Sequence, residues 1–171
     1  MTFELPPMTG ARAILLGGVT VAALDALDAL VFFTGILGAP AMRVFQAIAA
    51  GLMGRAAFQG GVPTLLLGLA LHLFNATCIV AVYVLASRKL GVLTRRPVLC
   101  GCIYGLLVYG VMNFVVIPLS ALTAHVHLPG LVNGLLGHPL LVGLPAALFA
   151  RAATPAVTPP APGVAGTPRD R

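Results

Sequence analysis

Residues 13–34 read AILLGGVTVAALDALDALVFFT, an apolar run interrupted only by Asp25 and Asp28. A predominantly apolar stretch of about 20 residues is long enough to cross a bilayer as a helix. A carboxylate in the middle of such a helix is costly, so it faces a partner, a bundle interior or water. The fold therefore turns on how many such spans there are and on what the two acids meet.

Composition answers the first question in kind. The chain has 171 residues, 59% hydrophobic and 8% charged, with no Trp. Ordinary soluble domains carry about 25% charged residues, so this chain lies outside that class. Twenty Gly and fourteen Pro suit membrane helices, which tolerate both. Further apolar runs cover 64–87, 97–119 and 131–151. The expected fold is an all-α membrane protein, a four-transmembrane-helix bundle within 13–151.

The net charge of +6 follows the distribution of a membrane protein. Arg12 precedes the first span, Arg88, Lys89, Arg95 and Arg96 lie between the second and third, and Arg151, Arg169 and Arg171 come at or after the end of the fourth. The opposite side holds Arg43 and Arg55 alone. By the positive-inside rule both termini are cytoplasmic. Residues 1–12 then form a short cytoplasmic lead, and the Pro- and Ala-rich 152–171 a disordered cytoplasmic tail. The partner this implies is the lipid bilayer, not nucleic acid. The first run is too long for the apolar core of a signal peptide and carries two acids, so it is expected to stay as a span.

Cys78, Cys100 and Cys102 fall within the membrane or at its cytoplasmic edge, and no structural disulfide is expected there. Cys100-Gly-Cys102 lacks zinc-site spacing and reads as helix packing. The Gly101-xxx-Gly105 spacing in the same span lets helix backbones approach closely.

Residues 41–62, AMRVFQAIAAGLMGRAAFQGGV, differ in kind. Met42, Phe45, Ile48, Ala49, Leu52 and Met53 recur at helical spacing, while Arg43, Gln46, Arg55 and Gln59 stay polar. The pattern predicts an amphipathic helix in the outer interface between the first and second spans. A re-entrant segment is the alternative, given Gly51, Gly54, Gly60 and Gly61.

Depth organises the polar residues. With the N-terminus inside and a rise of about 1.5 Å per residue, Asp25, Asp28, His72, Asn75, Tyr109, Asn113 and His138 share one layer in the outer half. They also share faces: Gly17, Val21, Asp25 and Asp28 form one stripe, Gly68, His72, Asn75 and Ile79 a second, and Gly105, Tyr109 and Asn113 a third. Asp28 is expected to pair with a histidine, and Asp25 to be a deeper, buried acid. Pro139 and Pro145 predict a kinked or interrupted fourth span with carbonyls freed towards the bundle. His72 and His138 occupy matching places in two span pairs, as parallel repeats would have them.

Four readings of this layer stand open. It packs helices through polar contacts; it carries protons, ions or a small solute; it holds a metal, with His72, His138 and Asp28 the candidates; or His72 and His138 ligate a haem. No cofactor is required by the pattern, and neither HxxxH nor HExxH spacing occurs. His125 and His127 lie just outside the layer and read as an exposed loop pair. No nucleophile is placed beside a base, so no catalytic residue is assigned and the protein is expected not to be an enzyme.

The segments HLFNATCIVAVYVLASRKL (72–90), GCIYGLLVYGVMNFVVIPLSAL (101–122) and GLLGHPLLVG (134–143) resemble the YagU-like family of bacterial inner-membrane proteins. The matching points are His72 with Tyr83 eleven residues on, Pro118-Leu119, and Gly137-His138. The resemblance covers the C-terminal two-thirds of the helical region and leaves Asp25 and Asp28 outside it. It implies a small multi-pass protein of the bacterial inner membrane and draws attention to His72 and His138, but it implies no reaction. Together these features predict an intramembrane polar pocket in the outer half, in a homo-oligomer or a subunit of a larger membrane complex. The rival expectation is an accessory subunit whose polar layer only packs helices.

Overall fold

The computed structural model of the protein describes residues 5–122 and 128–154. His125, His127 and 155–171, most of the expected tail, lie outside the described residues. Within them every regular element is helical. Four helices are long and apolar enough to cross a membrane: span 1, Gly10–Ile36; span 2, Gly61–Ser87; span 3, Pro97–Leu119; and span 4, Leu128–Ala152. The protein is an all-α membrane bundle. Its large exposed side chains, such as Leu15, Leu66, Phe74, Leu107 and Phe114, are apolar, as lipid-facing surfaces require.

Lipid tails are as apolar as leucine, so burial alone does not hold membrane helices together; close packing of small residues does. At the end of the bundle where span 1 begins, span 4 packs against all three other spans through Leu144–Ala152. Ala146, Ala147 and Ala150 are almost fully buried there beside Val80, Tyr83 and Val84. Gly17 lies against Val80 and Phe149, and Gly18 against Thr77. The expected Gly101-xxx-Gly105 contact is made with span 4: Gly101 faces Gly143 and Ala147, and Gly105 faces the His138 carbonyl and Pro139.

Spans 2 and 3 meet mainly through side chains. The Tyr104 hydroxyl donates to the Ile79 carbonyl at 2.8 Å. Its ring stands edge-on to Tyr83 at 4.9 Å, and the Tyr83 hydroxyl donates to Leu93 O at 3.0 Å.

The other half of the bundle is built differently. Three of the four spans change there from α to the wider π-helical pattern: Leu30–Ile36, Met112–Val116 and His138–Gly143. In span 4 this replaces the expected break. Pro139 lacks an amide hydrogen, yet its own carbonyl accepts from Leu144 N five residues on, so the helix widens and continues. Pro118 lies just past the corresponding segment of span 3, where Ile117 N bonds Met112 O. Span 1 makes the same five-residue bond between Leu37 N and Phe32 O at 3.0 Å, without a proline.

The connector 41–62 forms a helix over Ala41–Met53 and a tighter 3-10 segment over Gly54–Gln59. Gly54, at φ +61°, ends the helix in a conformation that favours glycine. Its inward face combines apolar and polar residues. Phe45, Gln46, Ala49 and Ala50 turn inward, while Met42, Leu52 and Met53 stay exposed. Small alanines permit the closest approach, and Gln46, only 2% exposed, finds acceptors in Gly61 O and Thr64 Oγ1, both at 3.2 Å.

The helix crosses span 2 at Gly68, where the Phe45 carbonyl occupies the space a Cβ would need. Gly68 is seven residues from the start of span 2, about 10 Å along the axis. The 27 residues of span 2 run about 40 Å against a hydrocarbon core of about 30 Å. If the span is centred in that core, the crossing falls about 5 Å below its edge, the depth of an interfacial helix.

Both described chain ends gather at the opposite, tightly packed end. Met8 N donates to Ala152 O at 3.0 Å, and the Arg88 guanidinium lies against Gly10.

Candidate functional site

In the π-helical half, span 4 stays on span 3 and span 1 but parts from span 2. The space left is a cavity of about 810 Å³. Its walls come from all four spans, and Leu37 and Ile48 bring the connector to its rim. Asp25 and Asp28 of span 1, His72 and Asn75 of span 2, Tyr109 and Asn113 of span 3, and His138 of span 4 all line it. Between them stand apolar side chains such as Val21, Phe33, Val108 and Met112. No Lys or Arg is among the lining residues.

The pairings inside the cavity differ from those expected. Asp28 does not meet a histidine: its Oδ2 accepts from Asn133 Nδ2 at 2.7 Å, joining spans 1 and 4. Gly137, one helical turn beyond Asn133, lets the carboxylate approach the span 4 backbone. Asp25 is the acid beside a histidine, its Oδ2 being 4.0 Å from His72 Nδ1, and it is half-buried at 29% exposure. Asn133 was not anticipated, although an amide in the first two turns of an apolar helix is the same kind of signal as Asn75 or Asn113. It lies five residues before His138, outside the three-and-four spacing that groups residues on one helical face.

His72 is held at one nitrogen and turns the other towards Asp25. Nε2 lies 2.9 Å from the Ala22 carbonyl, which can only accept, so Nε2 carries a hydrogen. In a neutral ring Nδ1 is then the acceptor and presents its lone pair towards the Asp25 carboxylate. Phe45 of the connector stands edge-on to the same ring at 6.3 Å.

His138 faces the cavity from the first residue of the π segment. Its ring is edge-on to Tyr109 at 4.9 Å, and its buried Nδ1 has no hydrogen-bond partner. Tyr109 wedges against Gly134, and its hydroxyl donates to Gly130 O at 3.4 Å. The amides of the two central spans do little cross-linking. Asn113 Nδ2 donates to the Tyr109 carbonyl of its own helix at 2.8 Å, a bond within span 3. Asn75 Nδ2 reaches Met112 Sδ at 3.5 Å, a weak acceptor.

Among the described residues no group of three His, Cys, Asp or Glu side chains is placed to hold a metal ion. His72 would have to break its Ala22 bond before Nε2 could ligate a haem iron. Cys100 Sγ donates to Val92 O at 3.6 Å, and Cys102 lies apart from the cavity. Comparison with family models, curated proteins and solved structures finds nothing that matches this chain.

Proposed function

We propose that this is a small, non-enzymatic protein of the bacterial inner membrane, with its described ends on the cytoplasmic side and its cavity facing outward. The cavity binds a small solute and gives up a proton as the solute enters. The observation that carries this reading is the His72–Asp25 pair. Nε2 of His72 is committed to the Ala22 carbonyl, which leaves Nδ1 on the side of the Asp25 carboxylate, 4.0 Å away, as the place where a proton would pass between ring and acid. Acids and histidines inside a membrane span mark proton and substrate paths more often than packing alone.

The orientation rests on the basic residues. Arg12, Arg88, Lys89, Arg95, Arg96 and Arg151 lie at one end, with Arg43 and Arg55 at the other. The resemblance to the YagU-like family agrees with this location.

The test is infrared difference spectroscopy of the full chain in lipid between acidic and neutral pH. A protonated-carboxyl band that disappears in Asp25→Asn and shifts in His72→Gln supports the pair as a proton holder. A band indifferent to both substitutions sinks it.

The accessory-subunit reading draws on a different observation, the Asn133–Asp28 bond, which ties span 1 to span 4 as polar glue would. If Asp28→Asn and His138→Ala lower thermal stability in detergent while a cellular phenotype persists, packing is the role. Loss of the phenotype at unchanged stability assigns the layer to a site.

A further inference from the structure

We propose that the solute is a monovalent lipophilic organic cation, an apolar body with one positive charge seated near Asp25 and Asp28. This rests on the reading of the cavity as a proton-and-solute site and names the solute.

Size is the first argument. A volume of about 810 Å³ falls within the range of pockets that enclose drug-sized molecules, about 300–1,000 Å³. Among the described residues no group of three His, Cys, Asp or Glu side chains is placed to hold a metal ion. Surface chemistry is the second. Val21, Phe33, Ile48, Val108 and Met112 give the occupant apolar walls, so it carries an apolar body.

Charge decides the sign. Among the described residues the ionisable groups lining the cavity are Asp25 and Asp28 from span 1, His72 from span 2, Tyr109 from span 3 and His138 from span 4; Leu37, just past span 1, and Ile48 of the connector are not ionisable. An anion would find two carboxylates and no Lys or Arg. A cation finds both acids on one helical face, one turn apart, with the rings of Tyr109 and Phe33 on the walls of the same cavity for its delocalised or quaternary charge.

Binding and proton release are then one exchange. The proton held by Asp25 and His72 leaves to water as the cation's charge arrives, one for one, with no bond made or broken in the solute. Protonation of Asp25, Asp28, His72 or His138 makes the cavity less negative, so cation binding weakens as pH falls. Tyr109 is the remaining titratable group on this surface and adds no charge while neutral.

Tetraphenylphosphonium and tetraphenylborate share size and shape and differ in sign, so they isolate the charge argument. Equilibrium dialysis of the full chain in detergent, corrected with empty micelles, is expected to show saturable tetraphenylphosphonium binding. Tetraphenylborate should not displace it. The affinity should fall by roughly tenfold, about 1.4 kcal/mol, in Asp25→Asn, and should decline as the pH is lowered. Absence of saturable phosphonium binding, or equal competition by the borate, overturns the proposal. The wild-type comparison of the two ions decides even if the variant misfolds. A failed dialysis with an intact Asp25 carboxyl band removes the cation and leaves the proton holder, whereas loss of both removes the site.

Discussion

The two halves of this bundle are made from the same kind of sequence and behave oppositely. At the Gly10, Ser87 and Ala152 end, small residues face small residues, the helices keep α geometry, and span 4 touches every neighbour. At the Ile36, Gly61 and Leu128 end, three spans widen into π segments, span 4 leaves span 2, and polar groups line the gap. The difference teaches that in this membrane protein helix geometry decides where a cavity can exist. The π segment of span 4 still packs closely on span 3, Gly143 on Gly101 and His138 on Gly105, while span 4 parts from span 2. A region of stability and a region of chemistry are thereby separated along one set of helices.

The largest effect is expected where the halves join. Gly143 packs its backbone on the Gly101 carbonyl and on Gly105, so Gly143→Leu forces spans 3 and 4 apart. The cost should be about 3 kcal/mol, the upper end for overpacking, seen as a lowered melting temperature in detergent. An unchanged melting temperature would show that the seam is not what holds the halves.

Asn133→Ala comes next. It leaves the Asp28 carboxylate without the 2.7 Å donor, and a lost membrane hydrogen bond costs about 0.6 to 2 kcal/mol. Chemical denaturation in mixed micelles measures it, and a neutral result would mean that water in the cavity replaces the amide fully.

Gln46→Ala tests the rim. Removing the donor to Gly61 O and Thr64 Oγ1 should cost about 1 kcal/mol and speed amide exchange in Ala41–Met53 selectively. Acceleration spread over all four spans would instead tie the connector to global stability.

Tyr104→Phe removes the span 3 to span 2 bond in the tight half and should cost about 0.6 kcal/mol, near the membrane average. A larger loss than that of Asn133→Ala would show that the tight half depends on this hydrogen bond as well as on small-residue packing.

Asp25→Asn should alter stability least, within about 0.5 kcal/mol, because its carboxylate is half-buried and 4.0 Å from its partner. Its consequence belongs to proton and cation binding, and a large stability change would move Asp25 into the packing class.

Much of this was legible from residue order. Span positions followed from apolar length, and sorting Asp25, Asp28, His72, Asn75, Tyr109, Asn113 and His138 by depth and helical face was enough to group them. The partners were not legible. Asp28 meets Asn133 and not a histidine, and Asp25 meets His72, because pairing depends on helix rotation and on the π turns. Three-and-four spacing assumes an unbroken α-helix, and His138 opens a π segment where that assumption ends. The connector was legible as amphipathic, but which of its residues face the bundle was not: close approach at Gly68 and the acceptors around Gln46 decide that, while Met42, Leu52 and Met53 stay exposed.

The sequence by itself determined that the chain is a membrane bundle, where its spans fall and which end is basic, since length, apolarity and charge act locally along a helix. Only the tertiary structure decided that spans 2 and 4 part in one half, that the gap between them is large, and which acid faces which base. Those outcomes depend on how four helices rotate and widen against one another, and no single helix contains that information.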